Sequence, residues 1–299
     1  MEDRMSIGGA MVALVTPFHD GQVDWDALGR LIEFQIDGGI QGIVPCGTTG
    51  ESPTLTHPEQ NAVIEFVVER TAGRVPVIAG TGSNSTAEAM SLTRAAKSAG
   101  ADACLIVDPY YNKPPQRGMH AHVARLAEVG LPIVLHNHPG RTGLELTPET
   151  IARIYDEIEL VIAVKDATGN LDTASAVAAA CDITIISGND SLTVPLCAVG
   201  GTGVISVLAN ILPREIRRLS DAIADGNVDA ARDQHQRLFP LFKAMDAEVN
   251  PIPVKAGLAI CGMIHEELRL PLTPLDKRLR AQLAKLLSPW NAGDIQKGG

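Results

Sequence analysis

A (β/α)8 barrel followed by a helical region is the fold this sequence predicts, and three observations predict it. Eight short runs rich in Val and Ile recur over the first two thirds of the chain, each too short for a helix. Helix start signals fall between them. The runs are continuously apolar rather than alternating, as in a parallel sheet buried on both faces. Their extent of roughly 225 residues suits a barrel of about 250. A doubly wound open sheet is the competing arrangement, and the lack of a G-x-G-x-x-G turn after any strand counts against it.

The first run is 10–15. Asp24 then caps a helix whose Trp25, Leu28, Ile32 and Ile36 share one face, and Gly38 ends it. The second run, 40–45, precedes Thr56-His57-Pro58-Glu59, and the third, 75–79, precedes Ser85-Thr86-Ala87-Glu88. Both tetrapeptides have capping-box form. Runs 103–107 and 133–135 follow, and Thr147 with Pro148 opens the next helix. Runs 161–164, 183–186 and 203–207 complete the eight. From about Asn227 no strand pattern remains, and 228–246, 252–264 and 276–287 read as helices. Residues 1–226 are therefore expected to form the barrel that carries the active site. Residues 227–299 are expected to form a helical region packed on it or on a partner subunit.

Composition bounds the function. The 299 residues are 45% hydrophobic and 20% charged, which excludes a disordered chain. A net charge of -10 without a basic run argues against nucleic acid or an anionic membrane as partner. No apolar stretch approaches the ~20 residues of a membrane span, and residues 1–9, which hold acidic residues and no apolar core, do not read as a signal peptide. Five scattered cysteines without C-x-x-C spacing read as reduced thiols, so a cytoplasmic location is expected.

Active sites of such barrels lie at the C-terminal ends of the strands. There the sequence sets Gly47-Thr48-Thr49-Gly50-Glu51 after the second run and Pro109-Tyr110-Tyr111-Asn112 after the fourth. His136-Asn137-His138-Pro139-Gly140-Arg141 follows the fifth and Lys165 the sixth. Lys165 stands out because it closes an apolar strand. Lost hydration lowers an ammonium's pKa and frees the neutral amine that a Schiff base requires. A structural lysine paired with Asp166 is the competing reading. The Gly47–Gly50 turn offers backbone N–H groups and hydroxyls that can hold a carboxylate and relay a proton, although it is also an ordinary strand-to-loop turn. Arg141 can clamp a carboxylate or make a surface ion pair. Tyr110 and Tyr111 can pack at an interface or reach a substrate.

Taken in order, these motifs resemble the dihydrodipicolinate synthase family of the N-acetylneuraminate lyase superfamily. Lys165-Asp166-Ala167-Thr168-Gly169-Asn170 and Asn250-Pro251-Ile252-Pro253-Val254-Lys255 add to the likeness, which runs from about Gly9 to Pro274. The resemblance implies a class I aldolase that needs no cofactor beyond a covalent lysine imine with pyruvate, acting as a homotetramer or homodimer. It implies that Lys165 forms the imine, that the amides of Thr48 and Thr49 hold the pyruvate carboxylate, and that the Thr48 hydroxyl relays protons. Tyr111 would reach into a neighbouring subunit's relay. Arg141 would bind the carboxylate of aspartate semialdehyde, and Gly188 and Ile205 would line the site through main-chain carbonyls. A related aldolase or dehydratase acting on a 2-keto-3-deoxy acid is the alternative.

One position departs from the family pattern. His136 stands where the relay tyrosine is normal. Imidazole transfers protons near neutrality, so the relay is rewired for the same reaction, the substrate differs, or activity is lost. Pro53, His57, Asn84, Glu88 and Tyr110 fall at the family's lysine effector positions, with Gln60 replacing a histidine found in some members. Against an effector site, His57 opens a helix and Glu88 completes a capping box with Ser85. A metal site built on His120-Ala121-His122 or His136-Asn137-His138 is disfavoured. Helical i and i+2 side chains diverge, Pro139 turns the chain, and no convincing carboxylate follows the later strands.

Overall fold

The computed structural model describes Met5 and residues 7–290, so most of the N-terminal stretch read against a signal peptide and residues 291–299 lie outside the described residues. Eight strands form one parallel sheet: β1 (Gly9–Ala13), β2 (Ile43–Val44), β3 (Ile78–Gly80), β4 (Ala103–Val107), β5 (Ile133–Asn137), β6 (Val161–Asp166), β7 (Thr184–Ser187) and β8 (Gly201–Ser206). Each pairs with its neighbour in sequence except β2 with β3, and β1 also pairs with β8. The ring closes between β2 and β3 through an Ile43–Val77 bridge. Hydrogen bonds of 2.9 Å from Ile43 N to Pro76 O and from Gly80 N to Pro45 O support that closure.

Helices α1 (Trp25–Asp37), α2 (His57–Thr71), α3 (Thr86–Ala99), α4 (Gln116–Ala127), the short α5 (Pro139–Thr142), α6 (Pro148–Glu157), α7 (Leu171–Ala180), α8 (Thr193–Ala198) and α9 (Pro213–Ala224) alternate with the strands. Alternate strand residues divide between two cores. Met11, Val44, Ile78, Leu105, Val134, Ile186 and Ile205 fill the barrel, while Ala10, Val12, Cys104, Ile106 and Leu135 face the helices. The C-terminal region adds α10 (Val228–Met245), α11 (Ile252–Ile260) and α12 (Lys277–Leu287).

Local chemistry accounts for several boundaries. Asp24 caps α1 through Ala27 N at 2.9 Å, and the Thr56–Glu59 capping box on α2 is complete. The box expected at α3 is half made. Ser85 accepts from Glu88 N, but the Glu88 carboxylate turns instead to His57 and Ser83. The third strand begins later than its apolar run because Val77 N is taken by the Asp102 carboxylate at 2.8 Å. Helix α11 stops short of residue 264, with Gly262 at φ +72°. The loop after β1 holds a small hairpin, Phe18–His19 with Gln22–Val23, that the apolar pattern does not reveal. Its Asp20-Gly21 turn has both φ values positive, the turn that two-residue hairpins favour.

Candidate active site

At the C-terminal mouth of the barrel a cavity of about 430 Å³ is lined by Thr48, Thr49, His136, Arg141, Lys165 and Gly188, among others. Six expected site residues thus converge from four loops or strand ends.

Lys165 lies in β6, directly in register with His136 of β5, so the two side chains leave the sheet on the same face. Burial lowers the Lys165 ammonium from 10.5 to about 8, the Asp190 carboxylate opposes that shift, and the Arg141 charge adds to it. At that value about one amine in ten is neutral at pH 7, against about one in three thousand for an ordinary lysine. Gly188 is required beside it. A Cβ there would lie 2.7 Å from Ala167 Cβ and 3.1 Å from Lys165 Cε, so a side chain would push the amine aside.

The Gly47–Gly50 turn is held open toward the cavity. Cys46 and Glu51, at φ +55° and +52°, flank it in the left-handed region that non-glycine residues rarely adopt. Gly50 N and Glu51 N bond back to Gly47 O and Thr48 O. The N–H groups of Thr48 and Thr49 have no intramolecular acceptor among the described residues. Two adjacent free amides make a small anion cradle.

The chain after β5 supplies the rest. Burial first, then the charges of Lys165, His138 and Arg141, hold His136 well below 6.5. Its imidazole is therefore neutral at pH 7, and Nε2 makes no hydrogen bond. Arg141 donates to Asn250 O at 3.1 Å, and the Asn250 amide donates to Thr49 Oγ1 at 3.0 Å. One C-terminal residue thereby ties the guanidinium to the threonine turn.

Other expectations fare differently. The Ile205 side chain is buried within the barrel on β8, and Val207, two residues on, lines the cavity. Tyr111, at φ +72°, is 90% exposed and lies away from the cavity in the single chain. Of the effector positions, His57 Nε2 meets Glu88 Oε1 at 2.7 Å, and Asn84 O accepts from Asn112 at 2.8 Å. Pro53 sits in the turn Ser52–Thr54, and Tyr110 is exposed. His120 Nε2 lies 2.7 Å from Glu157 Oε2 and His122 Nδ1 pairs with Thr86 Oγ1, so the two rings diverge as helical spacing requires. Among the described residues no three His, Cys, Asp or Glu side chains gather as a metal site.

Three site groups were missed in the sequence. Asp190, just after β7, places a carboxylate at a later strand end, where the sequence pattern does not single one out. Its Oδ2 accepts from Val207 N and Leu208 N, and burial raises its pKa. His138 lines the cavity beside Arg141. Lys255 on α11 and Glu51 form an ion pair with both side chains wholly buried, and Lys255 also lies 4.1 Å over the Phe18 ring. The presence of both residues in the quoted motifs was a signal, but their pairing across 204 residues was not readable.

The sequence model of the dihydrodipicolinate synthetase family matches residues 6–289. A 4-hydroxy-tetrahydrodipicolinate synthase of Pelobacter propionicus is 50% identical over 285 residues, 94% of this chain and 98% of that one. Dihydrodipicolinate synthase from Aquifex aeolicus superposes with a TM-score of 0.94 at 46% identity, over 95% of this chain and 98% of its own. The chloride-inhibited dihydrodipicolinate synthase from Acinetobacter baumannii, solved with pyruvate, gives a TM-score of 0.93 at 41% identity, over 97% and 100%.

Proposed function

The chain belongs to the dihydrodipicolinate synthetase family, and from that membership we infer how its cavity performs the family reaction. The activity is that of a Schiff-base-forming lyase: pyruvate condenses with L-aspartate 4-semialdehyde to 4-hydroxy-tetrahydrodipicolinate, in lysine biosynthesis. The observation that carries the reading is the buried, partly neutral amine of Lys165 in a cavity shared with an anion cradle and a guanidinium.

In the proposed mechanism the neutral Lys165 Nζ attacks C2 of pyruvate while the Thr48 and Thr49 amides hold its carboxylate. The carbinolamine loses water to give the protonated imine, which serves as its own electron sink, so no cofactor is needed. Loss of a C3 proton gives the enamine, whose carbon attacks the acceptor aldehyde. Arg141 holds the acceptor carboxylate bidentately. That charge favours an aldehyde acid over a sugar acid, whose hydroxyls would call for other groups there. His136 serves the relay with the Thr48 hydroxyl. As a neutral imidazole it accepts at one nitrogen and donates from the other.

Finer features belong to the same proposal. The exposure of Tyr111 supports a subunit interface that carries its hydroxyl toward a neighbour's relay, in a homotetramer or homodimer. The His57–Glu88 pair, with Pro53, Asn84 and Tyr110, is proposed to bind lysine as an effector. Five cysteines without a disulfide support a cytoplasmic setting. No helix among the described residues is long and apolar enough to cross a membrane.

The direct test is consumption of pyruvate with aspartate semialdehyde, repeated with added lysine. Turnover is expected, and turnover only with a 2-keto-3-deoxy acid would replace the acceptor.

A further inference from the structure

We propose that His138 is a second catalytic imidazole, which delivers to the acceptor's aldehyde oxygen the proton that His136 removes from C3 of the pyruvate imine. The inference rests on the reading above and extends it to a residue that reading leaves unused.

The geometry points there. His136 and His138 line one cavity with Lys165 and Arg141. Their ring centroids are 5.6 Å apart at an interplanar angle of 56°, within reach of a direct or single-water transfer. His136 Nε2 and His138 Nδ1 are both buried and make no hydrogen bond within the described residues, so neither nitrogen is committed to another protein group. His136 is itself 3% exposed. Chain order matches reaction order. His136 is in register with the amine that carries pyruvate, Arg141 receives the acceptor, and His138 falls between them in the chain, at the junction of β5 and α5.

The chemistry balances without a further reactant. His136 takes the C3 proton as the C–H pair becomes the enamine, and becomes imidazolium. Enamine attack forms the new C–C bond, and the aldehyde C=O pair moves onto oxygen. That oxygen takes the N–H proton of His138, which is refilled at its other nitrogen from His136. Both imidazoles end neutral, and one proton has moved from pyruvate to the product hydroxyl. Burial first, then Arg141 and Lys165, hold His138 at about 4, so it begins neutral at pH 7, as a donor to a developing alkoxide can.

Three readings on wild type, His138→Leu and His138→Gln test this. They are borohydride trapping of pyruvate, exchange of the pyruvate methyl protons with deuterated water in the absence of acceptor, and turnover with aspartate semialdehyde. His138→Leu is expected to keep trapping and exchange within about threefold, yet lose about a hundredfold or more of turnover. Added imidazole should restore part of it. His138→Gln should bind both substrates with little change in KM while kcat falls. Wild-type turnover in His138→Leu would overturn the proposal, as would a parallel loss of trapping and exchange, which would mark a structural role. Wild-type protein that traps pyruvate but leaves the semialdehyde unconsumed would instead overturn the acceptor assignment and the proposal with it.

Discussion

Lys165 and Lys255 show how two buried lysines in one protein acquire different uses. Burial brings both to about 8, but Lys255 is locked against Glu51 and the Glu267 carbonyl, whereas Lys165 opens on a cavity. Only the second amine can reach a carbonyl compound. The neutral amine is the nucleophile, so imine formation should rise with pH through about 8 and level off above it. Initial rates of pyruvate trapping across pH 6 to 9 check this. His136 carries the second residue-scale prediction. If the imidazole fills a relay role that phenol also serves, His136→Tyr keeps at least about a tenth of the wild-type turnover while His136→Phe loses about a hundredfold or more. Steady-state kcat for the two variants separates these outcomes.

Helix α11 and the turn after β2 depend on one another. The turn's left-handed flanks at Cys46 and Glu51 persist because distant groups hold it. Thr16 Oγ1 bonds Gly50 O at 2.7 Å, Asn250 holds Thr49, and Lys255 holds Glu51, whose other oxygen accepts from Arg269 N at 3.1 Å. Lys255→Met leaves a buried carboxylate without its cation. It should cost about 3–5 kcal/mol in denaturant unfolding, and a Glu51→Gln change added to it should recover part of that. The same contacts mark what was legible. Asp24, Thr56, Thr147 and the eight apolar runs announce their elements because caps and strand periodicity are local. Lys165, Thr48, Thr49 and Arg141 were legible because strand ends of a barrel converge by topology. The Glu51–Lys255 pair, the Asn250 bridge and the placement of Asp190 were not, since each depends on packing between segments far apart in the chain. The full capping box expected at Ser85 failed for a related reason: His57, on another helix, competes for Glu88.

For the molecule as a whole, the barrel gathers the reacting groups at one mouth, and the C-terminal helices brace that mouth from the side. The helical region bears directly on the site, because Asn250 and Lys255 both reach the threonine turn. The proposed assembly is the scale at which Tyr111 acquires a purpose. Its side chain is 90% exposed in the single chain, and its backbone is held at φ +72°. Tyr111→Phe should leave the oligomer unchanged by sedimentation while lowering kcat about a hundredfold. An unchanged kcat would confine Tyr111 to packing.

The central claim is that Lys165 alone among the lysines carries pyruvate through the reaction. Borohydride reduction in the presence of pyruvate, followed by peptide mass spectrometry, tests it most directly. A single adduct on Lys165, absent from Lys165→Ala, is the predicted result. An adduct on Lys255 or another lysine, or an undiminished adduct in Lys165→Ala, would contradict the account.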